Sequence, residues 1–94
     1  MKALKVDHIG IAVTNLEEGA KMYEAMGMKL AGVEEVAEQK VRVGFLPIGD
    51  TEVELLESTD PEGPIAKFIE KNGGRGGIQH IAFRVDDVAK ALEA

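Results

Sequence analysis

Val6-Asp7-His8-Ile9-Gly10-Ile11-Ala12-Val13 is a strand-compatible run with a histidine in third place, and its plan returns 72 positions later as Ile78-Gln79-His80-Ile81-Ala82-Phe83-Arg84-Val85. His8 and His80, the chain's 2 histidines, fall at matching places, as do Ile9 with Ile81 and Val13 with Val85. A cap signal follows each run, Thr14-Asn15 after the first and Asp86-Asp87 after the second. Leu16, Ala20 and Met22 are then matched by Val88, Leu92 and Ala94. A strand followed by a helix has been duplicated.

Working outward from the first copy, Asn15 with Glu18 three positions on reads as a capping box. Leu16, Ala20, Met22, Tyr23 and Met26 place an apolar stripe on a helix that Gly27 ends. Three strands are predicted next, over 29–36, 41–46 and 51–56, with Pro47-Ile48-Gly49-Asp50 turning between the last two. Pro64 suits the first position of a short helix whose Ile65, Phe68 and Ile69 share a face and which Gly73 stops. Gly73-Gly74-Arg75-Gly76-Gly77 precedes a strand and does not open a helix, so it reads as a flexible linker and not as a phosphate loop.

The expected fold is α+β, built from paired βαβββ modules within one domain spanning 1–94. Residues 1–57 form the first module, 58–77 the connecting helix and Gly-rich linker, and 78–94 the start of a truncated second module. A single unit leaves half-buried sheet and open edges, so a partner chain, in a homodimer, is expected.

Composition narrows the function. The 94 residues, 45% apolar, suit one small domain burying roughly 60 to 70% of its extended surface. A net charge of −6 disfavours nucleic acid. The absence of cysteine excludes disulfides, thiolate metal ligands and cysteine nucleophiles, and fits a reducing cytoplasm. Polar residues interrupt every apolar run before it reaches signal or membrane-spanning length, so neither export nor a membrane is expected.

Strand alternation puts Val6, His8, Gly10 and Ala12 on one face and Ile9, Ile11 and Val13 on the other, which should pack on a helix. Small neighbours leave room beside His8. In the repeat, His80 is expected to share its face with Ile78, Ala82 and Arg84, while Ile81, Phe83 and Val85 form the bulky side, so both histidines face the same kind of space. On the strand 51–56, Val53 and Leu55 suit the helix side, which turns Glu52, Glu54 and Leu56 the other way. A lone strand histidine is ordinarily a structural residue, and Glu54 alone reads as a solvated carboxylate. Two histidines at equivalent repeat positions, with a carboxylate from a sequence-distant strand, are nitrogen and oxygen donors suited to a hard or borderline divalent cation. Glu34-Glu35 and Asp86-Asp87 read as a solvated strand end and a helix cap.

With a histidine on the first strand of each paired βαβββ unit, the chain resembles the vicinal oxygen chelate superfamily, which includes glyoxalase I and the extradiol dioxygenases. Within it, the runs 6–13, 38–43, 54–56, 64–69 and 80–87 resemble the methylmalonyl-coenzyme A epimerase family. The segment Pro64-Ile65-Ala66-Lys67-Phe68 followed by the second histidine strand is the more specific part. The resemblance implies that His8, Glu54 and His80 ligate a divalent metal (Co, Mn, Zn, Ni or Mg). It implies an acyl-CoA substrate, with (R)- and (S)-methylmalonyl-CoA interconverted through an enolate.

The family's fourth ligand, a glutamate also implicated in proton transfer, lies on the last strand of the second unit. The span from His8 to Glu54, added to His80, puts it at position 126, past the residues given, so turnover by these 94 residues alone is expected to be impaired. Val43 stands where some members carry a second carboxylate, and the catalytic acid/base pair is unassigned. Alternatives are another superfamily enzyme, glyoxalase-like or a dioxygenase, and a non-catalytic ligand-binding fragment.

Overall fold

The computed structural model describes residues 2–86. The expected second helix and its matches Val88, Leu92 and Ala94, with the Asp87 half of the cap signal, lie outside them. The elements run β1 (Ala3–Ala12), α1 (Leu16–Glu24), β2 (Gly32–Val36), a 3-10 turn (Ala37–Gln39), β3 (Val41–Ile48), β4 (Thr51–Ser58), α2 (Pro64–Lys71) and β5 (Gly77–Val85). They form one sheet in the order β2-β3-β4-β1-β5. Only β1 and β4 are parallel; the other neighbours are antiparallel. This is the α+β arrangement expected, one complete βαβββ unit joined edge to edge with the first strand of a second.

The period-2 pattern sorts the side chains onto two covered faces. On one, Leu16 and Ala20 of α1 pack with Leu46, Val53 and Leu55, flanked by Ile11, Val13 and Tyr23. Leu16, Leu46 and Leu55 are fully buried, each contributing about 1.5 to 3 kcal/mol of transfer free energy. On the other, Ile65 of α2 packs with Ala12, Val41, Val43 and Leu56, with Phe68 and Ile69 beside them. Pro64 stands in the first turn of α2, where its missing N–H costs nothing.

Several expectations are corrected. α1 stops at Glu24, and a turn leads to Gly27 at φ +89°. Met26 therefore lies past the helix and stands 65% exposed, while Met22, still on α1, lies off the buried face and stands 59% exposed. β2 begins at Gly32 instead of Lys29. β3 runs on through Pro47 and Ile48, leaving Gly49-Asp50 as a two-residue turn; Pro47 is tolerated because it sits near the strand end. The capping box is half made: the Asn15 side chain accepts from the Glu18 N–H at 2.9 Å, but the second partner at this helix start is Glu57, which accepts from the Leu16 N–H at 3.0 Å. Arg42 holds Glu57 in place at 2.7 Å and reaches Glu17 at 2.9 Å.

The glycine-rich segment leads from α2 into β5 and makes contacts along the way. Asn72 donates to the carbonyls of Arg75 and Gly76, and a Cβ on Gly76 would collide with the Ala12 carbonyl. The bulky side of β5 is uncovered among the described residues, with Ile81 46% and Phe83 59% exposed.

Candidate metal centre

β1 and β5 pair about a local two-fold. Ile9 stands opposite Ile81, His8 opposite Ala82, and Gly10 opposite His80. Opposed residues share a face, so the two histidines lie diagonally on one side of the sheet. β4 completes the geometry on the other flank of β1, where Gly10 is the register partner of Glu54. Gly10 therefore sits between Glu54 and His80 in one row across three strands, with no side chain of its own. The His80 ring occupies the space a Cβ there would take, with Nδ1 at 2.6 Å from that Cβ position.

One ligand atom from each of His8, Glu54 and His80 lies within 4.8 Å of the others. The imidazoles meet edge to face, their planes at 85°, with the two Nε2 atoms 3.2 Å apart. His8 and Glu54 are half-buried, while His80, on the outermost strand, is more open. A cleft of about 330 Å³ runs beside them, lined by Val41, Val43, Glu54, Leu56, Ile65 and His80. The expectation of open space above the histidine face is thus right beside β5 and wrong beyond Ala12, where α2 fills it.

The outer nitrogens explain how the rings are held. His8 Nδ1 lies 3.0 Å from an Asp7 carboxylate oxygen, and Arg84 donates to the other Asp7 oxygen at 3.1 Å. The hydrogen bond with His8, opposed by partial desolvation and joined by Arg84, keeps the Asp7 carboxyl below its ordinary range. An ionised carboxylate only accepts, so His8 Nδ1 carries the proton. His80 Nδ1 faces the Gln79 amide oxygen and donates in the same way. With both rings neutral and protonated on Nδ1, the two Nε2 lone pairs converge at 3.2 Å, where either a metal cation or a proton held between the rings would satisfy them. With Glu54 alongside, the donor set fits a hard or borderline divalent metal.

Glu52, two residues before Glu54 and opposite His8, has its carboxyl pushed above the ordinary range by burial, with the charge of Glu54 adding to the effect. Reading the sequence singled out neither Asp7 nor Gln79. Their signal was available, since each immediately precedes its histidine and the two are equivalent in the repeat.

The chain matches the glyoxalase/bleomycin resistance protein/dioxygenase superfamily over residues 7–94. It belongs to that superfamily. An uncharacterised protein of Bacillus subtilis is 37% identical over 91 residues, covering 96% of this chain and 64% of that protein. The ethylmalonyl-CoA/methylmalonyl-CoA epimerase of Cereibacter sphaeroides is 35% identical over 90 residues, covering 95% of this chain and 66% of that enzyme. Among solved structures, a variant of Streptomyces coelicolor methylmalonyl-CoA epimerase in complex with 2-nitronate-propionyl-CoA superposes with a TM-score of 0.84 at 35% identity. That likeness covers 98% of this chain and 70% of the enzyme. The chain thus spans about half to two thirds of the length of the curated relatives it matches.

Proposed function

We propose that this chain carries the metal centre of an epimerase interconverting (R)- and (S)-methylmalonyl-CoA by removing the C2 proton and returning one to the opposite face. The observation that carries the proposal is the meeting of His8, Glu54 and His80 around the bare Gly10 backbone, at the edge of a cleft wide enough for a small acyl group. The likeness to methylmalonyl-CoA epimerases, one of them solved with an acyl-CoA analogue, supports the substrate class.

The three residues would hold a divalent cation, which when bound supplies positive charge to a thioester oxygen as the enolate develops. Val41, Val43 and Leu56 shield the reacting carbon from water. Because Val43 has no acid/base function, proton transfer requires carboxylates from elsewhere. The local two-fold supplies one location: the partner of Gly10 is Glu54, so the partner of Ala82 on its far side corresponds to position 126 in a continued chain. The modular division at residues 57 and 77 belongs to this reading. So does a cytoplasmic homodimer, for which the cysteine-free composition and the apolar surface of β5 are the supports.

A two-histidine, one-carboxylate set is also the donor pattern of non-haem iron dioxygenases, which is the second reading. Exchange of the substrate's C2 proton with solvent deuterium, followed by NMR without oxygen, separates the two. A form continued through a glutamate at position 126 is expected to exchange in a metal-dependent way, with the 94 residues alone at least about 10²-fold slower. Exchange that persists in His8→Ala and His80→Ala overturns the proposal, as does its absence from the continued form.

A further inference from the structure

β1 carries two irregularities against β5, at Leu4 and at Asp7, and the second has a counterpart on β5 at the same place in the repeat. On β1, Val6 pairs with Phe83 and His8 with Ala82, so Asp7 is an extra residue with no partner. On β5, His80 pairs with Gly10 and Ile78 with Ile11, so Gln79 is the extra residue. Strict alternation would turn residues 7 and 79 to the face opposite their histidines. The bulges cancel that: each extra residue swings beside the following imidazole and faces its Nδ1. In both copies the extra residue immediately precedes the histidine and contacts its Nδ1.

From this we infer that Asp7 and Gln79 are paired positioning residues, each bulged out to hold the next histidine as its Nδ1–H tautomer so that both Nε2 lone pairs enter one cation site. The inference rests on the metal-centre reading above. The physical need is clear from the geometry. A free neutral imidazole favours the proton on Nε2, and that tautomer would direct an N–H, not a lone pair, at the place where the three ligand atoms meet. A hydrogen-bond acceptor locked at Nδ1 reverses the preference and fixes the ring rotation. The two acceptors are not equal. Asp7 is anionic and anchored by Arg84, so His8 is made the stronger donor; Gln79 is neutral, and His80 the weaker.

Long-range proton–nitrogen NMR spectra of the metal-free protein report the tautomer of each ring directly, and calorimetric titration with Co²⁺ reports affinity. Asp7→Ala is expected to move His8 towards the Nε2–H form, and Gln79→Ala to do the same for His80. Each change is expected to weaken Co²⁺ binding about 10- to 100-fold. Asp7→Asn and Gln79→Glu, which keep an oxygen at Nδ1, restore the tautomer and most of the affinity, whereas a merely structural role would show no such rescue. Histidine rings that stay Nδ1–H in both alanine variants overturn the inference. Rings that switch as described in a protein whose wild type binds no Co²⁺ leave tautomer control standing and overturn the metal reading instead.

Discussion

Replacing Gly10 with alanine separates the metal site from the fold more cleanly than removing a ligand does. The new Cβ would stand 2.6 Å from His80 Nδ1 and 2.8 Å from Nε2, inside the ring's contact radius, so the imidazole must leave its place. His80 is on an exposed stretch of β5, and the ring can rotate outward without disturbing a buried side chain. Gly10 is not among the residues at positive φ, so alanine is compatible with its backbone, and losing a strand glycine gains roughly 0.5 to 1 kcal/mol. Folding stability should therefore stay within about 1 kcal/mol of the parent. Metal binding should not. With His80 displaced, one of three donors is lost, which costs at least the 10- to 100-fold that removing a ligand's hydrogen-bond partner costs. Isothermal titration with Zn²⁺ beside urea denaturation checks both arms. A Gly10→Ala protein with parental Zn²⁺ affinity would show that the bare backbone between Glu54 and His80 has no part in the site.

Other perturbations address the frame around the centre. Glu57→Ala removes the acceptor of the Leu16 N–H and should cost about 1 to 2 kcal/mol, seen as a lower urea midpoint, while Glu57→Gln, which keeps an oxygen there, should cost less. Ile65→Ala empties a site 6% exposed between α2 and the sheet and should cost about 2 to 5 kcal/mol by the same measurement. The Glu52 carboxyl has its folded pKa raised by burial and by Glu54, so its native state binds a proton more tightly than the unfolded chain does. Its contribution is favourable below the ordinary glutamate value of 4.5 and is lost as pH rises through the folded value. Glu52→Gln should accordingly raise the melting temperature of chelator-treated protein at pH 7 and give no gain at pH 4; a gain at both would assign the effect to packing.

Much of this was legible in the sequence because the repeat and the strand period both act locally. A histidine at the same place in two copies of one strand, and Val53 and Leu55 alternating with Glu54, were enough to put three donors on one face. What escaped reading depended on pairing. The bulges at Asp7 and Gln79 exist only in the register of β1 against β5, and alternation counted along either strand alone sends both side chains the wrong way. The role of Gly10 is likewise invisible until Glu54 and His80 are found on its two sides. Met22 and Met26 failed for different reasons: Met22 is on α1 but off the face that Leu16 and Ala20 bury, and the chain leaves helical geometry before Met26 can turn inward. Glu57 could replace half of a capping box only because β4 ends beside the start of α1.

The central claim is that His8, Glu54 and His80 hold one divalent cation, and titration of the metal-free protein with Co²⁺, followed by visible absorption, tests it most directly. The account predicts ligand-field bands that saturate at one Co²⁺ per chain and are lost in His8→Ala, Glu54→Ala and His80→Ala, each variant retaining its fold. Parental protein without such bands, or bands that survive removal of both histidines, would contradict it.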